Sequence, residues 1–128
     1  MSMINFFMFS VLFFTAKISP ITTSGTVLSA VIRNIQNTPV QCTIIWSTSF
    51  GSMSAKDIIT IASNRYKVVF EKIHDIDSWM PDAFIQEIHC GDLELINPFE
   101  RVFSRERLWE FRIEPDKIVS VGGSSYVP

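Results

Sequence analysis

The sequence predicts an all-β fold, a small two-sheet antiparallel β-sandwich of about seven or eight strands. Short segments rich in β-branched and aromatic residues recur along the 128 residues, separated by Gly, Pro, Asn, Asp and Ser. Several of these segments alternate between apolar and polar residues, as a strand does when one of its faces is buried. No segment has the spacing of an amphipathic helix of ordinary length. A partly open barrel would share this strand pattern and is the alternative.

The first two strand candidates are residues 26–34 and the segment "VQCTIIWS". The second of them is the clearest strand in the chain, because apolar and polar side chains alternate along most of its length. Successive side chains of a strand point to opposite faces. One face of this strand therefore carries Val40, Cys42, Ile44 and Trp46, and we expect it to be buried.

The remaining strand candidates follow at short intervals. In the fourth predicted strand, residues 66–73, the side chains of Tyr66, Val68 and Phe70 share one face. Residues 98–107 are ambiguous between a helical turn and a long crossing connection. The other predicted strands are residues 57–62, 66–73, 83–90, 91–97, 108–114 and 117–121.

The N-terminal residues have the pattern of a secretory signal peptide. Residues 3–16 are almost entirely apolar, and no charged side chain precedes Lys17. A membrane-spanning helix needs about 20 apolar residues, so this run is too short for one. We predict a signal peptide over residues 1–19, with a mature chain that begins between Ala16 and Gly25. A buried N-terminal element or an uncleaved anchor is the alternative.

The length predicts a single domain, and the signal-peptide pattern predicts that this domain is exported. Residues 20–121 form the predicted β-sandwich domain, and residues 122–128 a flexible C-terminal tail. The formal net charge of -2 and the pI of about 5.6 give no electrostatic reason to bind nucleic acid or an anionic membrane surface. We expect a secreted, extracellular protein that binds no nucleic acid and does not insert stably into a membrane once its leader is removed. The sequence does not indicate an oligomeric state.

The two cysteines predict a disulfide. Cys42 and Cys90 are the only cysteines, they lie 48 positions apart, and each falls on the apolar face of a predicted strand. Exported proteins keep disulfides, so we expect the two to be bonded, and in a sandwich the bond would join the two sheets. Buried free thiols are the alternative. His89 is adjacent to Cys90 but points to the opposite face, so it does not activate Cys90 as a nucleophile.

A short exported sandwich with one bridge occurs in several unrelated groups, among them plant self-incompatibility-like proteins and nematode transthyretin-like proteins. The segment "IASNRYKVVF" and the 48-position cysteine separation resemble the first of these groups. The resemblance is confined to the strand pattern and includes no specific motif. It therefore implies no activity, partner or site residue for this chain.

The sequence indicates no catalytic residue, cofactor or metal site. It has no Gly-rich phosphate loop, no serine elbow and no metal-binding helix. The acidic segment "HDIDSWMPD" lacks glycine and a calcium-loop signature, so we interpret it as a solvated turn. The segment "RVFSRERLWEFR" mixes arginines with aromatic residues, as polyanion-binding segments do. Nearby glutamates favour internal ion pairing instead; these glutamates are Glu100, Glu106 and Glu110, and the arginines are Arg101, Arg105, Arg107 and Arg112.

These observations predict a small secreted binding protein that is not an enzyme and that acts through loops of the sandwich. Its partner would be an extracellular protein or surface ligand. The contact loops would be residues 50–53 and 76–81, which place large apolar side chains in a polar context. The alternatives are an extracellular structural or storage component, and a small secreted hydrolase that uses His74 or His89. The candidate contact residues are Phe50, Met53, Trp79 and Met80.

Overall fold

The protein is built from β-strands and the connections between them. The structure, a computed structural model, describes residues 25–47, 55–72 and 83–125. Within these residues no helix is long and apolar enough to cross a membrane. The strands are β1 (Thr26–Val27), β2 (Ala30–Asn34), β3 (Val40–Ser47), β4 (Ala55–Ile61), β5 (Tyr66–Val69), β6 (Phe84–Cys90), β7 (Leu93–Ile96), β8 (Arg105–Glu106), β9 (Trp109–Ile113) and β10 (Ile118–Gly123).

Two four-stranded sheets form the sandwich, so the predicted fold class is confirmed. The first sheet has the order β10-β9-β2-β5, the second has the order β4-β3-β6-β7, and β1 and β8 form a small separate pair. The described residues contain ten strands, slightly more than predicted. The excess arises because residues 26–34 divide at a bend into β1 and β2, and because β8 is only two residues long.

The sheets are not purely antiparallel, and here the prediction was wrong. The second sheet is antiparallel throughout, but β2 and β9 run parallel in the first sheet, as do β1 and β8. The reason is the route of the chain. Residues 97–108 return it to the end of the sandwich at which β2 begins, so that β9 starts beside β2 and runs in the same direction.

The inward faces of the two sheets supply the core. Cys42, Ile44 and Trp46 are fully buried and Val40 packs against them, so the predicted face of β3 is confirmed. In β5 the core residue is Val69, whereas Tyr66 is 44% exposed and Phe70, just past the strand, is 67% exposed. The first sheet contributes Ala30, Ile32, Trp109, Phe111, Ile113 and Ile118 to the core.

Cys42 and Cys90 form a disulfide, which confirms the predicted pairing. The predicted position between the two sheets was wrong, because the two residues lie directly opposite each other on the neighbouring strands β3 and β6 of the second sheet. Their Cα atoms are 4.1 Å apart, which is close to the spacing of a non-hydrogen-bonded antiparallel pair. An apolar face in the sequence indicates that both sulfurs point to the core, but not which strands are neighbours.

The two ends of the sandwich carry connections of different length. At one end, here called the turn end, the strands are joined by residues 35–39, 62–65, 91–92 and 114–117. At the other, here called the loop end, the connections are residues 48–54, 73–82 and 97–108. Strand β10 continues to Gly123, so the first two residues of the predicted tail belong to a strand. The predicted signal peptide lies outside the described residues.

Candidate functional site

The predicted contact residues belong to the connections of the loop end. Phe50 and Met53 fall within residues 48–54, and Trp79 and Met80 within residues 73–82; His74 shares the second of these segments. All five residues lie outside the described residues. The strand ends at which the two segments start and finish are described, and they define the geometry at this end of the sandwich.

The second sheet brings the flanks of the two loops together. Residues 48–54 leave β3 after Ser47 and join β4 at Ala55, which is paired with Trp46. Residues 73–82 lead towards β6, whose first residue, Phe84, is paired with Ser47. The first loop therefore starts on β3 and the second loop ends on β6. These two strands are neighbours, and both attachment points lie at the same end of the second sheet.

A polar contact joins the bases of the two loops. The Trp46 indole Nε1–H donates to Asp57 Oδ2 at 2.9 Å, and Lys72 Nζ donates to Asp57 Oδ1 at 3.0 Å. The Lys72 ammonium also lies 5.5 Å from the centre of the Trp46 ring, within the range of a cation–π contact. We call these three residues the loop-base clamp. They connect the last residue described before 73–82 to the strands on either side of 48–54.

The clamp is partly exposed, which limits its contribution to stability. About a third of the Lys72 and Asp57 side chains is accessible to solvent, so the ion pair itself contributes on the order of 1 kcal/mol or less. Asp57 pairs across the sheet with Ile44, on the face of β4 that also holds Ile59 and Ile61. An acidic residue on an otherwise apolar face was the sequence signal for this clamp, which the sequence analysis missed.

The third connection of the loop end crosses from one sheet to the other. Residues 98–107 form turns and the short strand β8, and contain no helix, so of the two predicted alternatives the structure has the crossing connection. Phe99 is buried, and its ring meets that of Phe111 edge to face at 5.0 Å between centroids. Val102 is buried, and the Ser120 hydroxyl donates to the Glu100 carbonyl at 2.7 Å. These contacts hold the connection against the core.

The arginines of this connection are not paired with the glutamates between them, contrary to expectation. No described carboxylate forms an ion pair with Arg101 or Arg105, and Arg101 Nη1 donates instead to the Val121 carbonyl at 3.0 Å. Glu106 accepts a hydrogen bond from the Ser104 hydroxyl. The nearby ion pairs are Arg107–Glu71, Arg112–Glu114 and Arg33–Glu110.

The Arg107–Glu71 pair shifts the pKa of both partners. The hydrogen bond from Arg107 lowers the pKa of the Glu71 carboxyl; desolvation opposes this shift, and the charges of Arg107 and Arg105 add to it. The same hydrogen bond raises the pKa of Arg107. The pair therefore stays ionised at neutral pH and joins the end of β5 to the residues that precede β9.

His89 lies on the outward face of the second sheet. Its Nε2 is 2.6 Å from Glu87 Oε1, and its Nδ1 is 3.7 Å from Glu94 Oε1. Cys90 points to the core and is bonded to Cys42, so it cannot act as a nucleophile for this imidazole. Among the described residues there is no group of three or more His, Cys, Asp or Glu side chains that could hold a metal ion.

A shallow pocket of about 440 Å³ lies at the turn end, far from the clamp. Its lining includes Ile35, Gln36, Asn37 and Pro115, which provide no acid, base or nucleophile for catalysis. The loop end therefore remains the candidate site. No protein-family model, curated protein or solved structure matches this chain, so the fold and the geometry of the loop end are the basis for the function.

Proposed function

We propose that the protein is a small secreted binding protein without catalytic activity, which contacts an extracellular partner through its loop end. The observation that carries the proposal is the loop-base clamp. Asp57 binds both Trp46 and Lys72, and so joins the bases of the two segments that contain Phe50, Met53, Trp79 and Met80. Large apolar side chains that leave a rigid framework at adjacent points are typical of protein-binding surfaces.

The disulfide supports the extracellular part of the proposal. Disulfides persist in oxidising compartments and are rare in the cytosol. The bond between Cys42 and Cys90 also links β3 to β6, the strands that carry one end of each loop. The bond lies near the turn end of these strands, so it stabilises the framework that carries the loops and not the loop bases themselves.

The test is capture of a partner from extracellular fluid with purified protein and a Phe50→Ala, Trp79→Ala double variant. A matched control carries Ile35→Ala and Ile58→Ala, which shorten apolar side chains that are 41% and 64% exposed away from the loops. We expect the wild type and the control to recover the same partner. The loop variant should lose at least about tenfold in affinity, since it removes two aromatic contacts.

Equal recovery of the partner by the loop variant would show that the loop assignment is wrong. The hydrolase alternative is tested on the same samples, because the His89–Glu87 pair is the one described feature that favours it. Hydrolytic turnover that disappears in a His89→Ala variant would contradict the binding proposal. An extracellular structural or storage component would recover no specific partner with any of the proteins.

A further inference from the structure

Residues 102–106, which end in the short strand β8, run beside the segment that leads into β1, so one of their edges is already occupied. The carbonyls of Val102, Ser104 and Glu106 accept hydrogen bonds from the N–H groups of Gly25, Thr26 and Leu28, respectively. These three carbonyls therefore point to β1. Backbone groups alternate between the two edges of a strand, so those of Phe103 and Arg105 point the other way. Within the described residues, β8 pairs with β1 and with no second strand.

The side chains at this free edge are exposed. Phe103 is 79% exposed, the most of any large apolar side chain described, although its neighbour Val102 is buried. Arg101 and Arg105 are exposed as well and form no ion pair with a described carboxylate. The Phe103 ring thus lies between two arginines that form no ion pair with a described carboxylate, although the Arg105 charge acts on Glu71, and the buried Val102 side chain anchors this segment to the core.

The backbone of Arg101 has a conformation that is unfavourable for arginine. Its φ is 72°, in the left-handed region that glycine adopts freely and that costs other residues about 1 kcal/mol. The only hydrogen bond described for its side chain is to the Val121 carbonyl at the surface. Strained backbone that holds a charged side chain outward is a common feature of binding sites.

Two arginines, Arg101 and Arg105, suit a short acidic peptide better than a nucleic acid or an anionic membrane. The chain as a whole has a net charge of -2, so no long-range field draws it to nucleic acid or to a membrane. Each basic residue adds only about fivefold to binding at an anionic membrane, and nucleic-acid binding depends on many phosphate contacts. Arginine binds carboxylates in a directional, two-point geometry, which suits a short acidic peptide.

We propose that an extended acidic segment of the partner protein adds as a strand to the free edge of β8. Its backbone would pair with Phe103 and Arg105, an apolar side chain would pack on the Phe103 ring, and carboxylates on either side would bind Arg101 and Arg105. Strand addition of this kind takes affinity from the main chain and specificity from alternate side chains. The inference rests on the proposed function and names the chemistry of the partner at the loop end.

A labelled peptide of seven residues tests the proposal directly, with glutamate at its second and sixth positions, leucine at its fourth and serine elsewhere. We expect the intact protein to bind it with a dissociation constant of about 10–100 µM, as measured by fluorescence anisotropy. Phe103→Ala and Arg105→Gln should each weaken binding at least about fivefold. Arg101→Gly should weaken binding similarly and leave the thermal midpoint unchanged or raised, because glycine suits the backbone there.

Two variants serve as matched controls and should bind as the wild type does. Arg65→Gln removes an exposed arginine at the turn end, and Ile58→Ala an exposed apolar side chain of the second sheet. A peptide of the same composition with adjacent glutamates should bind at least about fivefold more weakly, as should a peptide N-methylated at alternate residues, which cannot complete the strand pairing.

Three results would overturn the inference: equal binding of the ordered and rearranged peptides, an affinity unchanged in Phe103→Ala and Arg105→Gln, or preferential binding to anionic phospholipid vesicles or to single-stranded DNA. The proposed function is judged separately, by capture of the partner from extracellular fluid. If Phe50→Ala, Trp79→Ala abolishes capture and Arg105→Gln does not, the loop proposal stands and the strand-addition proposal fails.

Discussion

At the scale of single residues, the buried Asn34 side chain organises the turn end. Its amide nitrogen donates to the carbonyls of Thr38 at 2.9 Å and Ile61 at 3.0 Å, and its amide oxygen accepts from the Gln36 N–H at 2.9 Å. The side chain is fully buried. One amide thus supplies the hydrogen bonds that two neighbouring connections need, since buried backbone groups without partners are costly.

Replacing Asn34 with Ala should destabilise the protein by about 2–4 kcal/mol, because a fully buried side chain loses its hydrogen bonds and the buried Ile61 carbonyl loses this donor. Urea denaturation followed by tryptophan fluorescence measures this difference. Asn37→Ala is the matched control, because Asn37 is exposed in the same connection, and it should change the stability by less than about 0.5 kcal/mol. A loss for Asn34→Ala no larger than that of the control would contradict this account.

At the scale of the strand, β3 shows what the sequence could predict and where it could not. Its length and buried face followed from alternation, because Val40, Cys42, Ile44 and Trp46 are all apolar and share one side. The identity of the strands that pair with β3 could not be predicted from this alternation. Alternation shows which face of a strand is buried, but it does not show which strands pair. In the structure, β3 pairs with β6, so Cys90 lies beside Cys42 in one sheet and not across the core.

The division between β1 and β2 and the strand β8 were not predicted, because neither is marked by an alternation of apolar and polar residues. The bend after β1 depends on a long-range contact, the hydrogen bond from the Leu108 N–H to the Ser29 hydroxyl at 2.7 Å. Strand β8 forms where the N–H groups of Thr26 and Leu28 donate to the carbonyls of Ser104 and Glu106. For the site, the sequence indicated apolar loop residues, but the clamp through Asp57 depends on which strand ends meet. Contacts between distant segments cannot be read from local pattern.

The disulfide is the covalent link of the second sheet, and its removal should weaken the fold. Closing a loop of 48 positions corresponds to about 4 kcal/mol of chain entropy in the unfolded state. We therefore expect a Cys42→Ala, Cys90→Ala variant to lose a few kcal/mol of unfolding free energy, measured by urea denaturation. The double substitution leaves no unpaired thiol to complicate the comparison.

The bond itself is checked by intact mass, which should rise by two hydrogens on reduction, and by alkylation, which should find no thiol before reduction. A thiol that reacts in exported, folded protein would show that the two cysteines are not bonded in solution. A double variant as stable as the wild type would instead show that the bond adds nothing to the sheet.

At the scale of the whole molecule, the two ends of the sandwich differ in their connections and contacts. The turn end is closed by short connections and the Asn34 hydrogen bonds. The loop end carries the clamp, the crossing connection and the exposed Phe103. The core lies between them, so changes in the loops need not disturb the turns that set the register of the strands.

Gly25 is the first residue that the structure describes, and it packs against the crossing connection. Its N–H donates to the Val102 carbonyl at 3.0 Å, and a Cβ atom at this position would lie 2.2 Å from the Ser104 carbonyl oxygen. N-terminal sequencing of exported protein should find a first residue between Ala16 and Gly25, where the apolar leader gives way to polar residues.

A chain shortened to begin at Ala30 serves as the comparison, because it lacks Val27, which is fully buried, and every N–H that pairs with residues 102–106. It should unfold at a lower urea concentration than a chain that begins at Gly25. Equal stability of the two would show that β1 is dispensable. Recovery of the protein from the cytosol with Met1 intact would contradict export, and the oxidising compartment that the disulfide requires would then need another explanation.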